Sequence, residues 1–227
     1  MTSSPGPASR PLFVVLEGID GSGTTTQGNL LADALRRSGR TVLRTAEPSQ
    51  GEVGALIRKA LQHRTDGRLA PATVALLFAA DRVDHCEREI GPALGRGDVV
   101  VCDRYLGSSL AFQVVDGAGE VDRVWVRTIN RSILEPDVSV LIDVPIDASS
   151  HRIERRGQPR ERFERDETLR QVRERYLEMF SGNAAGLGRT VIIDGHRDRE
   201  LVAYDVLGVV MEVISSNDAA PRGSGGA

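Results

Sequence analysis

Lysine is almost missing from this chain: of 29 Lys and Arg residues, Lys59 is the only lysine. Cysteine is nearly as scarce, with Cys86 and Cys102 the only two. Two cysteines without metal-type spacing exclude a disulfide-stapled secreted scaffold and a zinc module; they read as reduced, buried thiols of a cytoplasmic protein. Aromatic residues make up 4% of the chain, so base-stacking platforms are few and each candidate carries more weight. No apolar run approaches the ~18 residues of a membrane-spanning helix. Met1–Pro11 has no apolar stretch, so no signal peptide is expected. The net charge is −3 and no long basic block occurs. A dedicated nucleic-acid binder is therefore not expected, whereas a nucleotide site remains open.

What is present is ordinary globular material: 227 residues, 40% hydrophobic and 27% charged, enough for one domain with its own core. Residues 1–11 and 215–227 are small and polar and are expected to be disordered tails around a domain spanning 12–214. Within it, short apolar runs at Leu12–Leu16, Thr41–Thr45, Val99–Cys102, Val138–Val144 and Thr190–Ile193 read as strands. Helical spacing falls between them, over Gln27–Ser38, Glu52–Gln62, Pro71–Leu94, Ser108–Val114, Asp122–Leu134, Ala148–Arg156, Glu167–Phe180 and Asp198–Ile214. Five strands alternating with helices predict an α/β fold of three layers, a parallel five-stranded sheet with helices on both faces. Ligands of such sheets bind outside the carboxyl ends of the strands, so the residues after each strand are the ones to read for chemistry.

After the first strand comes Glu17-Gly18-Ile19-Asp20-Gly21-Ser22-Gly23-Thr24-Thr25-Thr26-Gln27. Gly18 and Gly23 stand in the frame of the phosphate loop G-x-x-x-x-G-K-[ST], whose backbone N–H groups and following helix terminus cradle phosphate. Residues Gly18 to Thr26 are thus the expected nucleotide-phosphate contacts, and Thr25 holds the position that ligates Mg²⁺. The frame departs at Thr24, where the motif has lysine. A hydroxyl carries no charge to set against phosphate, so either another cation does this work or phosphoryl transfer is weak.

Further along stand Glu47-Pro48, the stretch Leu77 to His85, Asp103-Arg104-Tyr105 through Gln113, and Arg160-Glu161-Arg162-Phe163-Glu164. In this order, from about Leu12 to Ile214, the chain resembles the thymidylate kinases, P-loop nucleoside monophosphate kinases. Phe78 and Arg82 are four apart and share a helix face. The resemblance implies that Phe78 stacks on thymine and Arg82 donates to the base. It places Arg104 on the acceptor phosphate, and Ser108, Ser109, Phe112 and Gln113 along base and sugar, with Phe112 where many relatives carry tyrosine. Glu47 is expected on the deoxyribose or a metal-bound water, in Ala46-Glu47-Pro48 where relatives often have an arginine before the glutamate. Asp103 is expected to hold Mg²⁺ with Thr25, and Asp20 to join the catalytic group.

The segment 151–165 carries His151, Arg152, Arg155, Arg156, Arg160, Arg162 and Arg165, and the resemblance makes it a lid over ATP. Ser22 leaves the phosphate loop without an arginine, so Arg156 and Arg162 are the expected catalytic cations, solvated until the lid closes. The implied activity is ATP-dependent phosphorylation of dTMP to dTDP by a cytoplasmic homodimer using ATP and Mg²⁺. The alternatives are a nucleotide-binding protein of this fold with weak or no kinase activity, or a kinase for another deoxynucleoside monophosphate.

Overall fold

Leu12–Glu17 forms β1, and all six of its residues are buried, as a strand covered on both faces must be. The computed structural model describes residues 10–62, 67–157, 159, 161–182 and 184–219. The other strands are β2 (Val42–Ala46), β3 (Val99–Asp103), β4 (Val138–Asp143) and β5 (Arg189–Asp194). All pairings are parallel, in the order β2-β3-β1-β4-β5. The helices are α1 (Thr24–Arg37), α2 (Glu52–Leu61), α3 (Pro71–His85), α4 (Arg123–Ile129), α5 (Ile146–Arg155), α6 (Asp166–Ser181) and α7 (Arg199–Ala219).

Because side chains alternate along a strand, the sheet feeds two cores. Phe13, Val15, Val100, Cys102 and Leu141 pack with Phe78 of α3 and with Leu169, Val172 and Tyr176 of α6. Leu12, Val14, Leu16, Val99 and Val101 pack on the opposite side, with Leu31 and Leu35 of α1 and Val202, Val206 and Val210 of α7. This is the expected three-layer arrangement. Val74, Ala75, Phe78 and Ala79 are buried in the first core, while Leu76 on the same helix is 50% exposed. The register pairs Leu16 and Ala46 with Asp103, which brings the ends of β1, β2 and β3 to one edge.

Four expectations change. The helix over Pro71–Leu94 is interrupted by a π-helical turn, Cys86–Ile90, followed by the short segment Gly91–Gly95. Pro92 has no N–H to continue an α ladder, and a wide turn absorbs the mismatch. The segment after β3 is broken likewise, into Leu106–Ser108, a π turn Ser109–Gln113, and Val114–Asp116. The helix expected over Asp122–Leu134 ends at Ile129, because Asn130 turns its amide back: Nδ2 donates to the Val126 carbonyl at 2.7 Å. The last helix runs on through the segment expected to be a tail, as far as Ala219. It is anchored there by Arg10, whose guanidinium donates to the Asn217 carbonyl. Residues 1–9 and 220–227 of the expected tails, and 158 and 160 of the expected lid, lie outside the described residues.

Candidate active site

The turn from β1 into α1 is built to present backbone N–H groups. Gly21 has φ +77° and Gly23 has φ +97°, left-handed values at which a Cβ is strained. A side chain at position 21 would also meet the Ser149 carbonyl oxygen at 2.6 Å. No side chain caps the first turn of α1 and no acidic residue lies in it. Its N–H groups and helix dipole are thus left for an anion. Thr24 is buried, and Thr25 Oγ1 donates to Asp103 Oδ2 at 2.5 Å. The other oxygen of that carboxylate, Oδ1, is buried without a partner. A hydroxyl and a carboxylate with a spare oxygen suit Mg²⁺, which takes few protein oxygens and completes its shell with phosphate and water. Among the described residues no group of three His, Cys, Asp or Glu could hold a metal alone.

On one side of this loop a cleft is lined by Asp20, Glu47, Phe78, Arg82, Arg104, Ser108, Phe112 and Gln113, with Pro48, Leu61, Tyr105, Glu161 and Phe163 completing the wall. Seven of the eight residues expected around the acceptor therefore meet in one place, from β2, α3, β3 and the broken segment. The eighth, Ser109, does not line the cleft but accepts from Arg82 Nη2 at 2.9 Å. Arg104 sits at the mouth with φ 68°, a non-glycine residue in left-handed backbone, as strained residues at ligand sites often are. Its guanidinium donates to the Gly18 carbonyl and to Asp20 Oδ1, both at 2.7 Å, and lies 5.0 Å over the Phe112 ring. Burial opposes its charge, but Asp20, Asp103 and Glu17 outweigh it and raise the Arg104 pKa. Burial likewise raises the Asp20 carboxyl, against the pull of Arg104.

Beneath the cleft two buried networks hold the walls. In one, Arg82 is fully buried; its Nε donates to Glu47 Oε2 at 2.8 Å, Nη1 to Asn130 Oδ1 at 2.5 Å, and Nη2 to the Tyr105 carbonyl at 3.1 Å. His85 Nδ1 lies 3.3 Å from Glu47 Oε1. A guanidinium has five N–H groups, and among the described residues Nη1 has one acceptor, Asn130 Oδ1, for its two. In the other network Glu17, wholly buried, accepts from the Tyr105 and Ser108 N–H groups and from the Ser108 and Tyr176 hydroxyls. Burial raises its pKa, with the Ser108 hydrogen bond and Arg104 pulling the other way. Glu17, Tyr105, Asn130 and Tyr176 were not legible as site residues. Their roles depend on contacts 23 or more positions apart, such as Arg82 to Tyr105 and Tyr176 to Glu17.

The two arginines expected to act from a lid part company. Arg156 is partly exposed and paired with Glu164 through Nη2, at 2.6 and 2.9 Å. Arg162 is not solvated as expected. It is buried, donates to both oxygens of Asp116 at 3.1 and 2.6 Å and to the Leu69 carbonyl at 3.0 Å, and lines neither ligand cleft. Phe163 packs beside it at 5.5 Å from Phe112, so the apolar neighbour carries the arginine inward.

On the far side of the phosphate loop a second cleft is lined by Ser22, Gly23, Thr26, Arg152, Arg197 and Arg199 among others. Arg152 Nη1 donates to the Gly21 and Ser22 carbonyls at 3.1 and 3.2 Å, a contact the sequence reading did not single out.

A parallel sheet whose first strand ends in a phosphate loop, with one cleft on each side of that loop, defines the P-loop class of nucleotide-binding proteins. Comparison with known sequences narrows the class: the family described as thymidylate kinase matches residues 16–205, and the chain belongs to that family. A probable thymidylate kinase of Pyrococcus horikoshii is 42% identical over 207 residues, covering 88% of this chain and 100% of the relative. One from Pyrobaculum aerophilum is 42% identical over 203 residues, 89% of this chain and 97% of its own. A thymidylate kinase of Pelotomaculum thermopropionicum is 39% identical over 210 residues, 90% and 94% of the two chains.

Proposed function

We propose that this chain transfers the γ-phosphoryl group of ATP to dTMP, giving dTDP and ADP. The observation that carries the reading is the pair of clefts meeting at one phosphate loop. A donor triphosphate in one cleft and an acceptor monophosphate in the other can align in line across the loop, and such transfer is chiefly positioning and charge stabilisation.

In the acceptor cleft Phe78 offers its ring to the base, and the spare N–H of Arg82 suits a carbonyl oxygen of a pyrimidine. Glu47 and Gln113 face the sugar, and the apolar Phe112 walls it. Arg104 is the fork for the acceptor phosphate, with Asp20 fixing its orientation. The loop N–H groups hold the donor phosphates. Thr25 and Asp103 would hold Mg²⁺, which neutralises phosphate charge when bound. Arg156, the less buried of the two lid cations, is the residue we assign to the transferring group, released from Glu164 on closure. Two buried free thiols fit a reducing compartment such as the cytoplasm. Leu76, exposed on α3, is an apolar contact available to a second copy in a homodimer.

The test is ADP release with ATP, Mg²⁺ and a panel of monophosphates, beside calorimetric binding of each nucleotide. Preferential turnover of dTMP supports the reading. A better acceptor than dTMP replaces the substrate, and binding without turnover replaces the activity.

A further inference from the structure

The missing lysine poses a charge problem, and the fold brings one unusual arginine to it. Arg44 lies on β2, with only 15% of its side chain exposed, and its Nη2 is 3.3 Å from Asp103 Oδ2. That oxygen is the one Thr25 Oγ1 also holds, so the guanidinium and the first turn of α1 share a single acceptor. Arg44 Nη1 donates to the Thr45 carbonyl, and Nε is buried with no partner.

Two neighbours make room for it. Ala46 shares the Arg44 face of β2, by the period of two, and is level with Asp103, so a small side chain leaves the path toward the carboxyl edge open. On α1, a Cβ at Gly28 would come within 2.8 Å of Arg44 Cζ, Nε and Nη2. Gly28 is buried in the middle of a helix, where glycine is unfavourable relative to alanine. It is one turn after Thr24, on the same helix face.

The other cations near the loop already have partners: Arg104 is bound to Gly18 and Asp20, Arg152 to carbonyls on the outer side, Arg197 to Asp205, Arg199 to Glu200, and Arg156 to Glu164 until closure releases it to the transferring group. We propose that Arg44 supplies, from β2, the positive charge that the motif places at position 24. It is a positioning residue: it holds and neutralises Asp103, which would otherwise repel the phosphates gathered at the loop, and Gly28 preserves the space it needs. The proposal rests on the loop binding nucleotide phosphates and does not require dTMP to be the acceptor.

The test is a charge relocation read by calorimetric ATP binding, with EDTA and then with Mg²⁺, and by thermal unfolding. Arg44→Leu is expected to weaken metal-free ATP binding about tenfold or more, as loss of one unit charge in a poorly solvated site should. Thr24→Lys is expected to restore binding in the Arg44→Leu background, and to gain much less in the wild type. Gly28→Ala gives a variant that does not depend on Arg44→Leu folding. It should displace the guanidinium and weaken ATP binding. Wild-type ATP affinity in both Arg44→Leu and Gly28→Ala would overturn the proposal. So would a loss in Arg44→Leu that Thr24→Lys fails to recover, since the role would then be structural. Failure of dTMP turnover in every protein, with this binding pattern intact, would count against the kinase reading and leave the assignment of Arg44 standing.

Discussion

Truncating Arg82 to alanine tests whether the arginine proposed to contact the base is also a keystone of the fold. Its side chain is 0% exposed and that of Glu47, 2.7 Å away, is 2% exposed. Removing the guanidinium strands the Glu47 carboxylate in the interior and leaves Asn130 Oδ1 and the Tyr105 carbonyl short of a donor. Breaking a buried pair from one side costs about 3–5 kcal/mol. That is a large share of the roughly 5–15 kcal/mol by which a domain is stable. For a chain of this size each kcal/mol moves Tm by about 2–4 °C, so Arg82→Ala is expected to melt about 6–20 °C lower. The double variant Arg82→Met with Glu47→Gln removes both charges and should be less damaging than the sum of the singles, with a coupling of about 1–3 kcal/mol. Calorimetric or urea unfolding of the wild type, Arg82→Met, Glu47→Gln and the double variant reads the cycle. A Tm within 2 °C of wild type for Arg82→Ala, or strict additivity, would refute the buried pair. Loss of dTMP binding by Arg82→Ala must therefore be read beside its melting curve.

Other outcomes follow from the same geometry. Arg162→Ala is expected to cost about 3 kcal/mol in urea unfolding, by abandoning buried Asp116, and to leave kcat less affected than Arg156→Ala, which should lower kcat about 10²-fold; the reverse pattern in kcat would exchange their roles. Gly21→Ala, at φ +77° and facing the Ser149 carbonyl, should weaken ATP binding at least tenfold and lower stability by about 1–3 kcal/mol, and wild-type calorimetry would contradict the loop geometry. Glu17 has a folded pKa above its ordinary 4.5. The folded state then binds more protons than the unfolded one, and stability falls as pH rises from about 4.5 through the folded value. Melting curves from pH 4 upward should show this fall in the wild type and a flatter profile in Glu17→Gln; equal slopes would place the titration elsewhere.

Much of the protein was written in local pattern. Unbroken apolar runs such as Leu12–Leu16 announce strands buried on both faces, and the spacing of Leu31 and Leu35 announces a helix against them, because the periods of strand and helix are properties of the backbone alone. Gly18 to Thr26 showed a phosphate loop for the same reason: its glycines serve conformations that one short segment must adopt. Motif order then named the acceptor residues, seven of which line one cleft. What a one-dimensional reading could not carry is which charge meets which. Arg162 looked like a solvated lid cation, yet Asp116, 46 positions away, holds it inside. Arg44 looked like an ordinary strand residue, and only the parallel register of β2 on β3, with a glycine on α1 above it, sets its guanidinium beside Asp103. Charges acquire partners only after the chain has folded, since the strength and direction of an ion pair depend on burial and distance through space. The fold was therefore decided largely along the sequence, and the electrostatics of the site by the tertiary structure.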